Sequence, residues 1–425
     1  MQHSVSLAVA PLRRVGIPER ALVLYILSYG LLLYHYGWQA GIFTLGVGLV
    51  AGVVAIAFRL SRNTAHWRSA LAYGLFFLTP ALTLSGQIGV LTGFGGSSAS
   101  LPWLGVAFIS TALALQVARN EIRWQTLFQI LQPLRFNSGP CALTAPTGTG
   151  TVRRLTFRRV VSYSGWFVLG GFFYSVIASG IAPLLVLRNS TDALDILAFA
   201  ILFEAYVYFN FSGISFMVYG ALKMAGVPVI RNFNSPFAAK DLIGYWQRWH
   251  ISLSTILKGL FFNPLRATAG LSIAVTATFL FSALWHGVSL NFLLWGIFHA
   301  IGWLSTRALG NVLPTKAGVI LKAAIFPVVV VLGRLMFSEA DSQTLLLKLR
   351  NLFAWTSSEN AWLLNLSLDT KTEVILAGAL AWVLTEIFSN RKKYTLLRKP
   401  WVTTILIVLC AFFGSSGLGG VYGAR

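Results

Sequence analysis

The sequence contains little charge, few acidic residues and almost no cysteine. Only 11% of its 425 residues are Asp, Glu, Lys or Arg, whereas soluble domains have about 25%. Because 56% of the residues are hydrophobic, so few charges could not cover the surface of a soluble globule of this size. An ordinary soluble enzyme and a disordered tail are therefore excluded. The two cysteines, Cys141 and Cys410, exclude a disulfide-rich secreted scaffold and indicate no cysteine metal cluster.

The charge that is present is mostly basic. Lys and Arg number 33 against 12 Asp and Glu, which gives a formal net charge of +21. The basic residues are scattered between apolar runs, whereas a nucleic-acid-binding surface gathers them on one face. Scattered basic loops between apolar runs are typical of a polytopic membrane protein. We therefore expect the lipid bilayer, and not a nucleic acid, to be the partner of this chain.

Long apolar runs occur along the whole chain, and neither a separate soluble domain nor an internal repeat interrupts them. Such a pattern predicts an all-α polytopic membrane protein with one integral membrane domain over residues 1–425. Because a helix of mostly apolar residues needs about 20 of them to cross a bilayer core, we predict about eleven spans. They lie at residues 22–37, 39–58, 69–91, 102–118, 160–187, 196–222, 269–285, 288–306, 317–337, 372–389 and 401–418.

Lys and Arg concentrate in alternate loops, and loops of that kind face the cytoplasm. The Arg-rich loop 119–159 is therefore predicted to be cytoplasmic, and the uncharged loop 93–100 to lie outside. This arrangement makes the N-terminus cytoplasmic, and the expected location is the inner cell membrane. Residues 338–371 mix charged residues with leucines, which predicts an amphipathic helix on the outer surface.

Polar side chains within apolar spans are costly and therefore mark functional candidates. Here they are densest in residues 204–299, which hold three of the six histidines, His250, His286 and His299. A desolvated imidazole stays neutral and can take a proton from a hydroxyl that attacks a carbonyl. No metal-ligand spacing unites the three histidines, so we expect no bound metal.

On the residues alone, three classes of protein stay open. A transporter or flippase also combines many spans with buried polar residues, and a structural subunit of an export complex would use its histidines for packing. A transporter is the first interpretation on these grounds, although the chain has no repeated halves and its polar cluster occupies one third of the length. Arg248, between Trp246 and Trp249, could hold an anionic group of an enzyme's substrate, or pair with Glu204 or Asp241.

Five short stretches then carry motifs: Tyr208–Gly213, Arg231–Phe237, Tyr245–Ser254, Phe281–Gly287 and Leu294–His299. In order and spacing they resemble the membrane-bound O-acyltransferase family, MBOAT, in its bacterial branch that acylates cell-surface polysaccharides and teichoic acids. The motif core, residues 204–303, covers a little under a quarter of the chain. The sequence departs from the family pattern in three places. Asn210 stands where relatives often have Asp, Phe216 replaces an acidic residue, and Leu257–Arg266 replaces the usual Arg-Asp-Tyr stretch and glycine-rich turn.

The resemblance implies a ring of membrane helices around a tunnel. A thioester acyl donor reaches the tunnel from the cytoplasm and a hydroxyl acceptor from the other side, and a re-entrant segment over residues 245–268 brings His250 toward His286. The resemblance makes His286 the central catalytic residue and His250 the second active-site histidine. The expected substrate-binding residues are Arg248, Trp249, Trp285, Asn234 and Asn291.

The activity implied by the resemblance is O-acyl transfer, with His286 as general base. The acyl group is expected to be acetyl, and the acceptor a cell-surface polysaccharide. The donor, acyl coenzyme A or an acyl carrier protein, acts as a co-substrate, so no bound cofactor is expected. The same resemblance admits D-alanyl transfer from a carrier protein toward teichoic acid or a similar polymer. In either case a periplasmic acyltransferase partner could complete delivery to the polymer.

Overall fold

The computed structural model describes residue 53 and residues 65–85, 101–119, 156–227, 229–312, 315–359, 361–388 and 391–414. All regular elements in these ranges are helices. In chain order we number the main ones α1 (Ala65–Leu84), α2 (Leu101–Ala118), α3 (Phe157–Phe172), α4 (Ala193–Met224), α5 (Leu242–Trp246), α6 (Ile251–Leu257), α7 (Asn263–Ala269), α8 (Leu271–His286), α9 (Leu290–Val312), α10 (Lys316–Ser338), α11 (Ser342–Ala354), α12 (Thr370–Phe388) and α13 (Pro400–Phe413).

Four helices in this part of the chain are long and apolar enough to cross a membrane. One is Phe157–Asn189, in which α3 continues through a π-helical stretch, Phe173–Ala178, and a 3₁₀ helix, Ala182–Asn189. The other three are α4, α9 and α10, and the apolar helices α8 and α13 are shorter. The described part of the chain is therefore all-helical, and its long apolar helices indicate a multi-pass membrane protein.

Most predicted spans can be compared with these helices. From residue 69 onward, each predicted span coincides with one of the helices α1, α2, α3, α4, α8, α9, α10, α12 and α13. The candidates at 22–37 and almost all of 39–58 lie outside the described residues, as do the loop 93–100 and most of the loop 119–159. The total of about eleven spans and the ring around a tunnel stay predictions.

Helices α3 and α4 form the centre of the described core, and two glycines let their backbones touch. A Cβ atom on Gly170 would lie 2.4 Å from the carbonyl oxygen of Gly213 and 2.5 Å from the backbone N of Met217. Small residues allow such close approach between membrane helices. Near this contact the rings of Phe173 and Phe209 meet edge to face, with centroids 4.9 Å apart. Helix α4 is thus enclosed along much of its length and presents side chains to the protein interior.

We expect Gly170→Ala to lower the free energy of unfolding by about 1–3 kcal/mol, because the added methyl group must push two backbones apart. Gly171→Ala is the matched control, since a Cβ atom at Gly171 meets no atom within 4 Å. Alanine also favours the helix more than glycine does. Thermal unfolding of both variants in the same detergent tests this contact. Equal unfolding temperatures for the two variants would contradict it.

Residues 338–371, predicted as one amphipathic surface helix, are helical mainly in α11. The helix ends at Trp355, which adopts a left-handed conformation with φ 51°. Beyond it, the backbone N–H groups of Trp362 and Leu363 donate to the buried carboxylate of Asp195, at 3.0 and 2.8 Å. These hydrogen bonds hold the chain in an irregular path against the start of α4. The predicted helix was therefore too long.

Candidate active site

The segment predicted to be re-entrant, 245–268, is a series of short helices broken at His250. His250 has φ 43° and ψ 54°, a left-handed conformation that residues with side chains adopt only at a cost. Asn232 holds this turn: its carbonyl accepts from the backbone N of Ile251 at 2.9 Å, and its side-chain oxygen accepts from the backbone N and the hydroxyl of Ser252 at 3.1 and 2.9 Å. The direction of the His250 side chain is therefore fixed by the backbone around it.

His250 is buried in the protein, with 4% of its surface exposed. Its ring meets the rings of Phe211 and Trp285 edge to face, with centroids 4.7 and 5.9 Å away. Among the described residues, Nε2 of His250 has no hydrogen-bond partner. Because a buried polar atom is normally satisfied, this nitrogen is available to a ligand.

His286 is the last residue of α8. Its ring lies between aromatic neighbours, with centroids 4.9 Å from Trp285, 4.9 Å from Phe337 and 6.0 Å from Trp295. Trp285 contacts the rings of both histidines. The structure thus brings His250 and His286 together, as the sequence analysis predicts.

Both histidines line one cavity of about 380 Å³, a size suited to a small ligand. Its wall comes from α4, the segment from α5 to the π-helical stretch Lys258–Phe262, and α8, α9 and α10. Most of the surface is apolar. The polar members of the wall are Tyr206, Asn210, Gln247, His250, Ser254, Thr255, Lys258, Thr278, Ser282, His286 and Arg334.

Trp249 is the one predicted substrate-binding residue that lines this cavity. Arg248, its neighbour in sequence, does not, because its guanidinium donates to the carbonyl oxygen of Gly244 at 2.8 Å. The suggested pairing of Arg248 with Glu204 or Asp241 is wrong. The carboxylate of Asp241 accepts from the backbone N of Gly244 at 2.7 Å, and Glu204 has another partner, described below.

Asn234, Trp285 and Asn291 lie near the site and not on the cavity wall. The side-chain oxygen of Asn234 accepts from Arg231 at 3.1 Å, and Nε1 of Trp285 donates to the hydroxyl of Thr111 at 3.0 Å. The side chain of Asn291 joins the start of α9 to the chain between α10 and α11, by donating to the carbonyl of Glu339 at 2.8 Å. Their role in substrate binding stays a prediction.

Glu204, Arg334 and Tyr245 form a buried polar group at the cavity that the sequence analysis did not assemble. Nε of Arg334 donates to one carboxylate oxygen of Glu204, and the hydroxyl of Tyr245 donates to the other at 2.8 Å. The three come from α10, α4 and α5, and Arg334 lines the cavity. A charged residue inside the predicted span 317–337 was the signal that could have indicated it.

His299, the third histidine of the polar cluster, packs beside the cavity without lining it. Its ring lies 4.9 Å from Trp295 and 5.1 Å from Trp246. Among the residues that the structure describes, no group of three or more His, Cys, Asp or Glu side chains could hold a metal ion. The titratable side chains of the described cavity wall are Tyr206, His250, Lys258, His286 and Arg334.

A mostly apolar cavity with two histidines in a multi-pass membrane protein defines the class of site, and the comparisons with known proteins show which family it resembles. Residues 194–315 match the model of MBOAT, the membrane-bound O-acyltransferase family. This part of the chain, which includes His250 and His286, is similar to that family.

Curated relatives agree with this assignment. The chain is 31% identical to the probable alginate O-acetylase AlgI of Pseudomonas syringae pv. tomato, over 49% of this chain and 41% of the relative. It is 35% identical to the peptidoglycan O-acetyltransferase of Helicobacter pylori, over 24% and 20%, and 26% identical to the teichoic acid D-alanyltransferase of Bacillus subtilis, over 23% and 28%. The matched part spans less than half the length of each of these relatives.

Proposed function

We propose that this protein is an O-acyltransferase of the inner cell membrane, with its N-terminus in the cytoplasm. It moves an acyl group from a thioester donor to hydroxyl groups of a cell-surface polysaccharide, and the acyl group is acetyl. The observation that carries this proposal is that His250 and His286 line the same cavity, within the residues that match the O-acyltransferase family.

The reaction moves one proton from the acceptor hydroxyl to the departing thiolate. The acceptor hydroxyl oxygen attacks the thioester carbonyl carbon, the new C–O bond forms and the C–S bond breaks. His286 takes the hydroxyl proton as general base, and the departing thiolate receives a proton to leave as a thiol. His250, whose Nε2 is free of described partners, is suited to stabilise the carbonyl oxygen as it gains charge or to protonate the thiolate.

In this proposal the two substrates reach the cavity from opposite sides of the membrane. The donor, acyl coenzyme A or an acyl carrier protein, enters from the cytoplasm, and the acceptor enters from the outer side of a ring of helices. The broken segment 245–268 dips into the membrane and carries His250 to the cavity, which is possible because irregular backbone at that depth is enclosed by protein. One integral membrane domain over residues 1–425 does this work, together with a periplasmic acyltransferase partner that completes delivery to the polymer.

D-Alanyl transfer toward teichoic acid or a similar polymer is the second candidate. It is favoured by the relative named teichoic acid D-alanyltransferase, at 26% identity. The relatives named O-acetylase and O-acetyltransferase are more similar, at 31% and 35%, so acetyl transfer has the better support. A transporter or flippase is a third candidate, from another class of protein.

Feeding labelled acetate and labelled D-alanine to host cells, with and without this protein, tests the proposal. We expect loss of the protein to remove base-labile acetate label from the surface polymer while the polymer itself still reaches the surface. Loss of D-alanine label instead would support the second candidate. Unchanged ester content would contradict acyl transfer, and loss of the exported polymer itself would support a flippase.

A further inference from the structure

Arg334 is a fixed cation in the wall of the cavity. It lies in α10 with 5% of its surface exposed, where an unpaired charge would be very costly. Glu204 accepts from its Nε, and Nη2 reaches the hydroxyl of Tyr245 at 3.4 Å. The guanidinium carbon lies 4.6 Å from the ring centroid of Trp249 and 5.6 Å from that of Phe337. Four neighbours, on α4, on α5, in the turn after α5 and on α10 itself, thus hold the group in one orientation.

The guanidinium keeps donors that no described residue uses. A guanidinium has five N–H groups, and the described hydrogen bonds of Arg334 occupy only Nε and Nη2. Because Arg334 lines the cavity, the remaining N–H groups are available to an acceptor atom inside it. A carbonyl oxygen is such an acceptor.

Arg334 and the proposed general base, His286, share a neighbour in the cavity wall. The ring of Phe337 is 4.9 Å from the ring of His286 and 5.6 Å from the guanidinium carbon of Arg334. Both residues line the cavity in which we propose that the acyl group binds.

The ionised groups of the described cavity wall are all positive. Lys258 and Arg334 line the cavity, and no carboxylate is among its described lining residues. The carboxylate of Glu204 is engaged by Arg334 and Tyr245. Asn210, which also lines the cavity, offers an uncharged amide whose oxygen has no described partner. A positively charged acyl group would therefore meet a cation and no free anion.

We propose that Arg334 determines which acyl groups the enzyme transfers. Its free N–H groups bind the acyl carbonyl oxygen, and its charge rejects acyl groups that carry an α-ammonium, so that the cavity selects uncharged acyl groups over aminoacyl groups. This inference rests on the proposed O-acyl transfer and assigns its acyl class. For two positive charges about 6 Å apart at an effective dielectric constant of about 20, the repulsion corresponds to about 100-fold in rate. Since Glu204 offsets part of it, we expect at least about tenfold.

Two thioesters of pantetheine, propionyl and D-alanyl, isolate this charge effect, because they differ chiefly by one α-ammonium group. The full-length protein in lipid vesicles, supplied with a polysaccharide acceptor, is expected to transfer propionyl at least about tenfold faster at equal concentration. The double variant Glu204→Gln/Arg334→Gln removes both charges together, and we expect its preference to fall toward equality. Asn210→Asp, which adds a carboxylate to the cavity, is expected to lower the preference as well.

The matched control is Glu339→Gln/Lys348→Gln, which also removes a buried ion pair, with Nζ to Oε1 at 2.5 Å, but away from the cavity wall. We expect it to keep the preference of the unchanged protein. Equal transfer of both acyl groups by the unchanged protein would overturn the inference and leave O-acyl transfer standing. An unaltered preference in both Asn210→Asp and the double variant would also overturn it. Failure of the unchanged protein to transfer either group would contradict the proposed function itself.

Discussion

Acyl transfer by the His286→Gln variant is expected to fall about 10²–10⁴-fold, the usual contribution of a positioned general base. Glutamine is similar in size and polar, but its amide cannot take a proton from the acceptor hydroxyl. The side chain also leaves no large hole among Trp285, Trp295 and Phe337, whose rings surround His286. The rate of ester formation in lipid vesicles containing equal amounts of correctly inserted protein measures the effect.

His299→Gln is the matched control for this loss. His299 is buried, with 2% of its surface exposed, whereas His286 is half-buried, and both rings pack against Trp295. It does not line the cavity, so its replacement should leave the rate close to that of the unchanged protein. An equal loss in both variants would mean that the histidines act through packing, and His286 would then lose its role as base.

Arg334→Gln is expected to lower the free energy of unfolding by about 3–5 kcal/mol, because it strands the carboxylate of Glu204 in the interior. Tyr245 would still donate one hydrogen bond to Glu204, which is too little to compensate for the lost cation. The double variant Glu204→Gln/Arg334→Gln should recover most of the loss, since it leaves no charge behind. Thermal unfolding of the single and double variants in one detergent provides the comparison.

Recovery of stability in the double variant distinguishes a loss caused by unpaired charge from a loss caused by packing. If the double variant were as unstable as the single one, the loss would come from packing of the guanidinium against Trp249 and Phe337. If Arg334→Gln were as stable as the unchanged protein, the pair would not be buried and desolvated as described. Either result would also weaken the assignment of Arg334 as a fixed cation in the cavity wall.

The helices could be predicted from the sequence because each apolar run is long and continuous. The breaks in these helices could not be predicted in the same way. The turn at His250 depends on hydrogen bonds that Asn232 accepts from residues 251 and 252, and nothing in the local pattern shows which distant residue will hold a left-handed turn. The end of α11 is similar, since it is followed by a stretch bonded to Asp195, more than 160 residues earlier in sequence.

The site shows the same division between local and long-range information. The motifs indicated His250, His286 and Trp249, and all three line the cavity. Arg248 was considered as a partner of Glu204 because both residues lie in the motif core. The structure instead pairs Glu204 with Arg334, which is 130 residues away in sequence. Sequence spacing identifies which residue types are gathered in a segment; it does not specify which charges meet across a helix bundle.

The most direct test of acyl transfer is the ratio of thiol released to ester formed. Purified protein in lipid vesicles, supplied with an acetyl thioester of pantetheine and an unesterified polysaccharide, should release one thiol for each ester formed on the polymer. The same protein carrying His286→Gln should form both products about 10²–10⁴-fold more slowly. Thiol release without ester on the polymer, or polymer that crosses the membrane with no ester formed, would contradict the claim that this cavity joins an acyl donor to a hydroxyl acceptor.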